Sequence, residues 1–283
     1  MRSMADVLVS AEWLRDNLPG VRLMDVRGEV VTDEPRYRAY PDRYAAGHIP
    51  GAVFVDWRRD FTDHTSDIPV TIAPPGVFAA DATRLGIRPD TRVVAYDDYY
   101  NVLAGRIVWA LRSYGHTASH LLDGGLSAWE RAGGELELGD NLPALADPPY
   151  PPPAPVEGLI DLPAMREAIA GGVQVLDARK PAEYAGEESH ARRAGHIPGA
   201  LNVYYRDLLA GDGTFLPPEQ LREVLSASGV DLDREVLAYC NGGVSATAVA
   251  HAVELVTGRR PRVYDGSWNE WGNRDDTSLE TGR

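Results

Sequence analysis

Cysteine is nearly absent from this chain: Cys240 is the one example among 283 residues. A lone thiol forms no internal disulfide. With no CxxC pair and no Cys/His cluster there is no zinc-ligand pattern, so neither a metal nor another cofactor is expected. Positive charge is also scarce, with 28 Lys and Arg against 42 Asp and Glu and a formal net charge of −14. Without a basic stripe most of the surface repels a polyanion, which argues against a nucleic-acid partner. Long apolar runs are missing too; none approaches the roughly 18–20 residues of a membrane span, so no membrane partner is expected. The opening Met1-Arg2-Ser3-Met4-Ala5-Asp6 lacks the basic-then-apolar order of a secretory signal, which makes a cytoplasmic location the expectation. What remains is 44% hydrophobic and 25% charged, an ordinary globular balance, at a length suited to about two domains. If the thiol matters, it matters as a reactive group.

The chain repeats itself. Leu23-Met24-Asp25-Val26-Arg27 returns as Val175-Leu176-Asp177-Ala178-Arg179, and Ala46-Gly47-His48-Ile49-Pro50-Gly51-Ala52 returns unchanged as Ala194–Ala200. Val93-Val94-Ala95-Tyr96-Asp97 returns as Val236-Leu237-Ala238-Tyr239-Cys240, and Asp123-Gly124-Gly125 as Asp265-Gly266-Ser267. Matches in one order at so long a period indicate two copies of one domain rather than a solenoid. Between them lies Pro143–Pro155, where seven of thirteen residues are proline; such a stretch holds no helix or central strand and predicts an extended connector. The expected division is residues 1–140, a linker over 141–156, and 157–283.

Within each copy, short valine-rich runs (Val21–Val26, Arg92–Tyr96, Val173–Ala178, Glu235–Tyr239) alternate with helical patterns (Ala104–Tyr114, Thr247–Val256). Runs this short and this apolar suit strands buried on both faces of a mainly parallel sheet, flanked by helices in an α/β fold. The strand order is not readable.

Cys240 closes one such run and opens Asn241-Gly242-Gly243-Val244-Ser245, which leads into a helix. Ligands bind at the carboxyl ends of strands in open α/β sheets. Paired glycines let the backbone curl so that several N–H groups face one centre, and the helix start adds its own unpaired N–H groups. A thiolate is favoured there, provided that the side chain is reachable from solvent. Ser245 or Thr247 is placed to cap the helix or to donate a hydroxyl to the sulfur. The plain alternative is a small buried residue with no chemistry; the strand end, the glycine turn and the helix start together favour a reactive thiol. In the first copy Asp97 stands at the cysteine's position and cannot carry sulfur, and Asp98-Tyr99-Tyr100-Asn101 offers no glycine turn to gather amides.

These motifs, with the closing Tyr264-Asp265-Gly266-Ser267-Trp268-Asn269-Glu270-Trp271-Gly272, resemble the tandem-domain rhodaneses, the thiosulfate and 3-mercaptopyruvate sulfurtransferases, over nearly the whole chain. The resemblance implies two α/β domains, a catalytically silent first copy, and ping-pong transfer through a Cys240 persulfide cradled by Asn241, Gly242, Gly243, Val244 and Ser245. It implies a small anionic sulfur donor and cyanide or a thiol as acceptor, with thioredoxin among the candidates. Arg179 matches the family's donor-binding arginine; the alternative is a structural ion pair, which its counterpart Arg27 in the silent copy keeps open. For Arg192 and Arg193, just before Gly195, one reading faces them to the pocket, and the favoured one is a solvated surface pair. His48 and His196 recur in both copies and so shape a turn, while Trp268 and Trp271 read as core or pocket wall.

The donor stays open. Asn241 and Gly242 lack the positive charge of the animal thiosulfate type, which leans towards mercaptopyruvate. The mercaptopyruvate type, however, implies a relay of a hydroxyl, a histidine and an aspartate. Asp56 matches the aspartate, but Gly242 holds the hydroxyl's position, and the histidine's position falls near Pro69 or Val70, with His64 out of register. Two other classes compete. A cysteine-dependent phosphatase or arsenate reductase needs an arginine six residues past the cysteine, where Ala246 stands. A non-catalytic binding or regulatory module shares the fold without the chemistry.

Overall fold

The computed structural model describes residues 7–154 and 158–282; the amino-terminal signal reading and the junction at 155–157 lie outside them. Two compact units emerge, one of residues 1–65, 72–157 and 211–214, the other of residues 66–71, 158–210 and 215–283. The proline-rich stretch carries no helix or strand over 140–154. It is not a bare connector, because Ala146 and Tyr150 are buried and Tyr150 N–H donates to Thr83 Oγ1 at 2.9 Å within the first unit.

The first unit holds β1 (Leu8–Val9), β2 (Arg22–Asp25), a hairpin of β3 (Gly28–Val30) and β4 (Tyr37–Ala39), then β5 (Val53–Phe54), β6 (Val93–Tyr96) and β7 (Ser119–Leu122). Its sheet runs β1-β7-β6-β2-β5, all parallel. The second unit holds β8 (Leu159–Ile160), β9 (Gln174–Asp177), β10 (Leu201–Asn202), β11 (Val236–Tyr239) and β12 (Arg262–Tyr264). Its order, β8-β12-β11-β9-β10, repeats the first, again all parallel. All four residues of β6 and of β11 are buried, as the valine-rich pattern predicts for a parallel sheet covered on both faces.

The helices follow their local signals. Ser10 caps Ala11–Asn17 by accepting from Trp13 N–H, and Asp161 caps Leu162–Ala170 by accepting from Ala164 N–H, so each copy opens its first helix with a short polar acceptor. The helix Ser245–Thr257 is rich in alanine, buries most of its length and stops at Gly258 with φ 71°, a left-handed terminator. Each sheet therefore places one central strand, β6 or β11, with its carboxyl end opening directly into a buried helix.

Candidate active site at the end of strand β11

Cys240 follows β11 and is 1% exposed. This closure departs from the sequence expectation of a reachable thiol. Gly243 turns the loop with φ 68°, a conformation glycine adopts at no steric cost. Among the described residues, the N–H groups of Asn241, Gly242, Val244, Ser245 and Ala246 donate to no protein acceptor. Those are the amides the glycine turn was expected to gather. The hydroxyls behave otherwise than expected: Val244 occupies the cap position with no side-chain bond, and Thr247 Oγ1 donates to Val244 O at 2.7 Å rather than to sulfur.

The residue that sequence reasoning missed is Ser267. Its Oγ accepts from Cys240 N–H at 3.2 Å and Gly243 N–H at 3.0 Å, and donates to Tyr264 O at 2.7 Å. Trp268 N–H adds a bond to Cys240 O at 2.9 Å. Ser267 thus staples the loop to the end of β12. The signal was present in the repeat, where Gly125 stands opposite Ser267: a Cβ there would lie 2.2 Å from Asp97 O.

The first copy's matching loop corrects a second expectation. Asp97 is 1% exposed, and its carboxylate accepts from the N–H groups of Tyr99, Asn101, Leu103 and Ala104 at 2.8–3.0 Å. Amides are gathered here without glycine, because Tyr100 and Asn101 take φ 60° and 59°. Burial pushes the Asp97 carboxyl up to about 6, against the pull of those N–H bonds.

Arg179 is 2% exposed and tied to Asp177, with Nε 3.0 Å from Oδ1 and Nη2 2.6 Å from Oδ2; Nη2 also donates to Gly195 O at 2.8 Å. Its guanidinium lies 4.5 Å from the Trp268 ring centroid, and Tyr239 Oη donates to Asp177 at 2.5 Å. Arg27 repeats the arrangement with Asp25 and Gly47 O. This geometry favours the structural reading of Arg179 over contact with a donor. Nη1, buried and without a partner, is the only part of the guanidinium left for one.

The remaining candidates separate. Arg192 is exposed and pairs with Asp275 at 2.5 Å. Arg193 is no solvated partner to it, since its guanidinium holds the carbonyls of Trp271 and Thr277. His48 and His196 stack on Tyr44 and Tyr184 and bond the backbone of those tyrosines, as turn-shaping residues do. Trp268 is fully buried, a wall against Arg179. Asp56 is bound by Arg58 at 2.6 Å. Asp56 and His64, out of register in sequence, line one cavity of about 420 Å³ in the first unit. No group of three or more His, Cys, Asp or Glu able to hold a metal occurs among the described residues, and no helix there is long and apolar enough to cross a membrane.

Comparison with known proteins places the whole chain in one family. The rhodanese-like domain family matches residues 10–132 and 163–274. A putative thiosulfate sulfurtransferase, SseB of Mycobacterium tuberculosis, is 37% identical over 279 residues, covering 96% of each chain. The 3-mercaptopyruvate sulfurtransferase of Escherichia coli is 34% identical over 279 residues, covering 96% of this chain and 97% of its own. The crystal structure of SseA from Escherichia coli, a 3-mercaptopyruvate sulfotransferase, superposes with a TM-score of 0.83 at 31% identity, covering 93% of this chain and 99% of that one.

Proposed function

The chain belongs to the rhodanese-like domain family, and from that we propose that it is a sulfurtransferase whose second unit carries sulfur on Cys240. The sulfur of thiosulfate or 3-mercaptopyruvate is taken by the Cys240 thiolate, releasing sulfite or pyruvate. The resulting persulfide then passes its outer sulfur to cyanide or a thiol, so that donor and acceptor react in turn.

The observation that carries this reading is the contrast between the two loops. In the first unit the N–H groups of Tyr99, Asn101 and Leu103 are spent on the Asp97 carboxylate. Their repeat counterparts Gly242, Val244 and Ala246 have no acceptor among the described residues. A persulfide on Cys240 extends its side chain by one anionic atom, as a carboxylate does beyond its Cγ, and supplies the charge those dipoles lack. The first unit, whose cradle is filled by its own side chain, is read as silent.

Arg179 is assigned a positioning role, holding the Gly195 carbonyl and the Trp268 face. Because Cys240 is 1% exposed, loading requires the loop or a neighbouring side chain to give way. Cellular thiols, thioredoxin among them, and a cytoplasmic location belong to this proposal, since a lone nucleophilic cysteine with no disulfide partner suits a reducing compartment.

The test is direct. Incubation with thiosulfate and, separately, with 3-mercaptopyruvate should add one sulfur atom to the intact mass, reversed by cyanide. Loading by neither would favour the binding-module reading. A phosphatase would need turnover of p-nitrophenyl phosphate, which Ala246 at the arginine position does not support.

A further inference from the structure

Glu183 is a buried carboxylate beside the cysteine loop that the transfer chemistry does not use. It lies in the short helix Pro181–Ala185, is 6% exposed, and its Oε1 accepts from Asn241 Nδ2 at 2.8 Å. Asn241 is the residue next to Cys240, and its N–H belongs to the unpaired set. Among the described residues the one group able to form an ion pair with Glu183 is His190, with Nε2 at 3.8 Å; Lys180 is occupied by Glu188 and Arg179 by Asp177.

The internal repeat supplies the contrast. Arg43-Tyr44 stands where Glu183-Tyr184 stands, and Arg43 faces Asp98, the counterpart of Asn241, at 3.7 Å. The silent copy therefore sets a cation against an anion at this point. The copy with the cysteine sets an anion against a neutral amide at the edge of its cradle, with the charges of Arg179 and Lys180, each already paired, reaching it from its own side.

We propose that Glu183 is a specificity-determining residue that disfavours dianionic sulfur donors at Cys240. The proposal rests on Cys240 being the sulfur carrier. Thiosulfate brings two negative charges and 3-mercaptopyruvate one, so Glu183 acts on their difference. One unit charge at roughly 6–8 Å, in an effective dielectric of about 20–40, changes selectivity about tenfold. Asn241 serves as the spacer that fixes this carboxylate against the loop.

Glu183→Gln tests it, because the amide keeps an oxygen for Asn241 and removes only the charge. In the full chain, kcat/KM for thiosulfate relative to that for 3-mercaptopyruvate should rise about tenfold, chiefly through a lower KM for thiosulfate. A second readout is independent of turnover: the rate at which iodoacetate alkylates Cys240, relative to neutral iodoacetamide, should rise several-fold in the variant. Unchanged or lower ratios in both assays would overturn the proposal. If wild-type Cys240 is loaded by neither donor, the sulfurtransferase reading falls instead, and the alkylation ratio alone decides the role of Glu183.

Discussion

Strand β6 ends on Asp97 and strand β11 on Cys240, at matching places in two sheets of the same strand order. Both side chains are 1% exposed, and both carbonyls accept from a residue just past the following strand, Leu126 in one copy and Trp268 in the other, at 2.9 Å. The difference is in what meets the amides. Asp97 brings its own anion and consumes four N–H groups, whereas beside Cys240 three of the four counterparts, those of Gly242, Val244 and Ala246, have no acceptor among the described residues and Thr247 N–H turns to Val244 O. One backbone device thus forms a closed structural knot in the first unit; in the second, under the proposed function, it receives a transient anion. Glycine is not what separates them, since Tyr100 reaches φ 60° where Gly243 has 68°; the end group of the strand is.

The largest break in that comparison is Cys240→Ser. Sulfur loading should vanish, because a hydroxyl is far less nucleophilic than a thiolate at neutral pH, while the unfolding midpoint stays close to wild type. Activity retained in this variant would remove Cys240 from the chemistry. Next come Arg179→Ala and Arg27→Ala. Each strands a buried aspartate, Asp177 or Asp25, and each should cost about 3–5 kcal/mol in denaturant unfolding. Similar losses in the two copies would place Arg179 in the architecture. If Arg179→Ala instead leaves stability intact and raises the KM for the donor, the unpartnered Nη1 is the working group.

Much of this was legible in the sequence, for reasons tied to particular residues. The strands β2, β6, β9 and β11 fall within the valine-rich runs, because the interior of a strand covered on both faces is apolar, as Leu23-Met24 and Val175-Leu176 are, even where Asp25 and Asp177 close the strand. Helix Val102–Ser113 begins two residues earlier than its apolar pattern suggested; its first turn is buried and is also capped by the Asp97 carboxylate, which accepts from the N–H groups of Leu103 and Ala104. The strand order was illegible because parallel pairing joins residues far apart in sequence. Ser267 was missed for a related reason: its bond to Cys240 N–H spans two strands, and only its substitution for Gly125 in the repeat marked it. The amide knot around Asp97 was missed because turn statistics assign positive φ to glycine first, while here Asn101 and a tyrosine adopt it.

A middle-sized effect comes from pH. The Asp97 carboxyl, raised to about 6, binds a proton in the folded chain at pH values where the unfolded chain has released it. Its stabilising contribution is therefore complete below about pH 4 and lost as pH rises through 6, a change of about 3 kcal/mol. Unfolding free energies of wild type and Asp97→Asn, compared from pH 4 to 7, should diverge by that amount, with wild type losing ground as pH rises. A difference that does not vary with pH means that the four N–H bonds outweigh burial and that Asp97 stays ionised throughout.

The smallest effect separates two variants at one position. Ser267 carries a side chain at φ 50°, a conformation that penalises any residue with a Cβ, yet its Oγ satisfies the N–H groups of Cys240 and Gly243. Ser267→Ala keeps the strained backbone and leaves both donors unpaired, so it should cost about 2 kcal/mol. Ser267→Gly loses the same acceptor but relaxes the backbone, so it should lie about 1 kcal/mol above the alanine variant. Glycine at this place is what the first copy has in Gly125, so the glycine variant gives the second unit the first unit's solution without its aspartate. Chemical denaturation reads the order. Sulfur loading of the same variants then tells whether the staple serves the fold alone or also holds the empty cradle in shape, since a loosened loop should slow loading in both variants. Loading at the wild-type rate in both would confine Ser267 to stability.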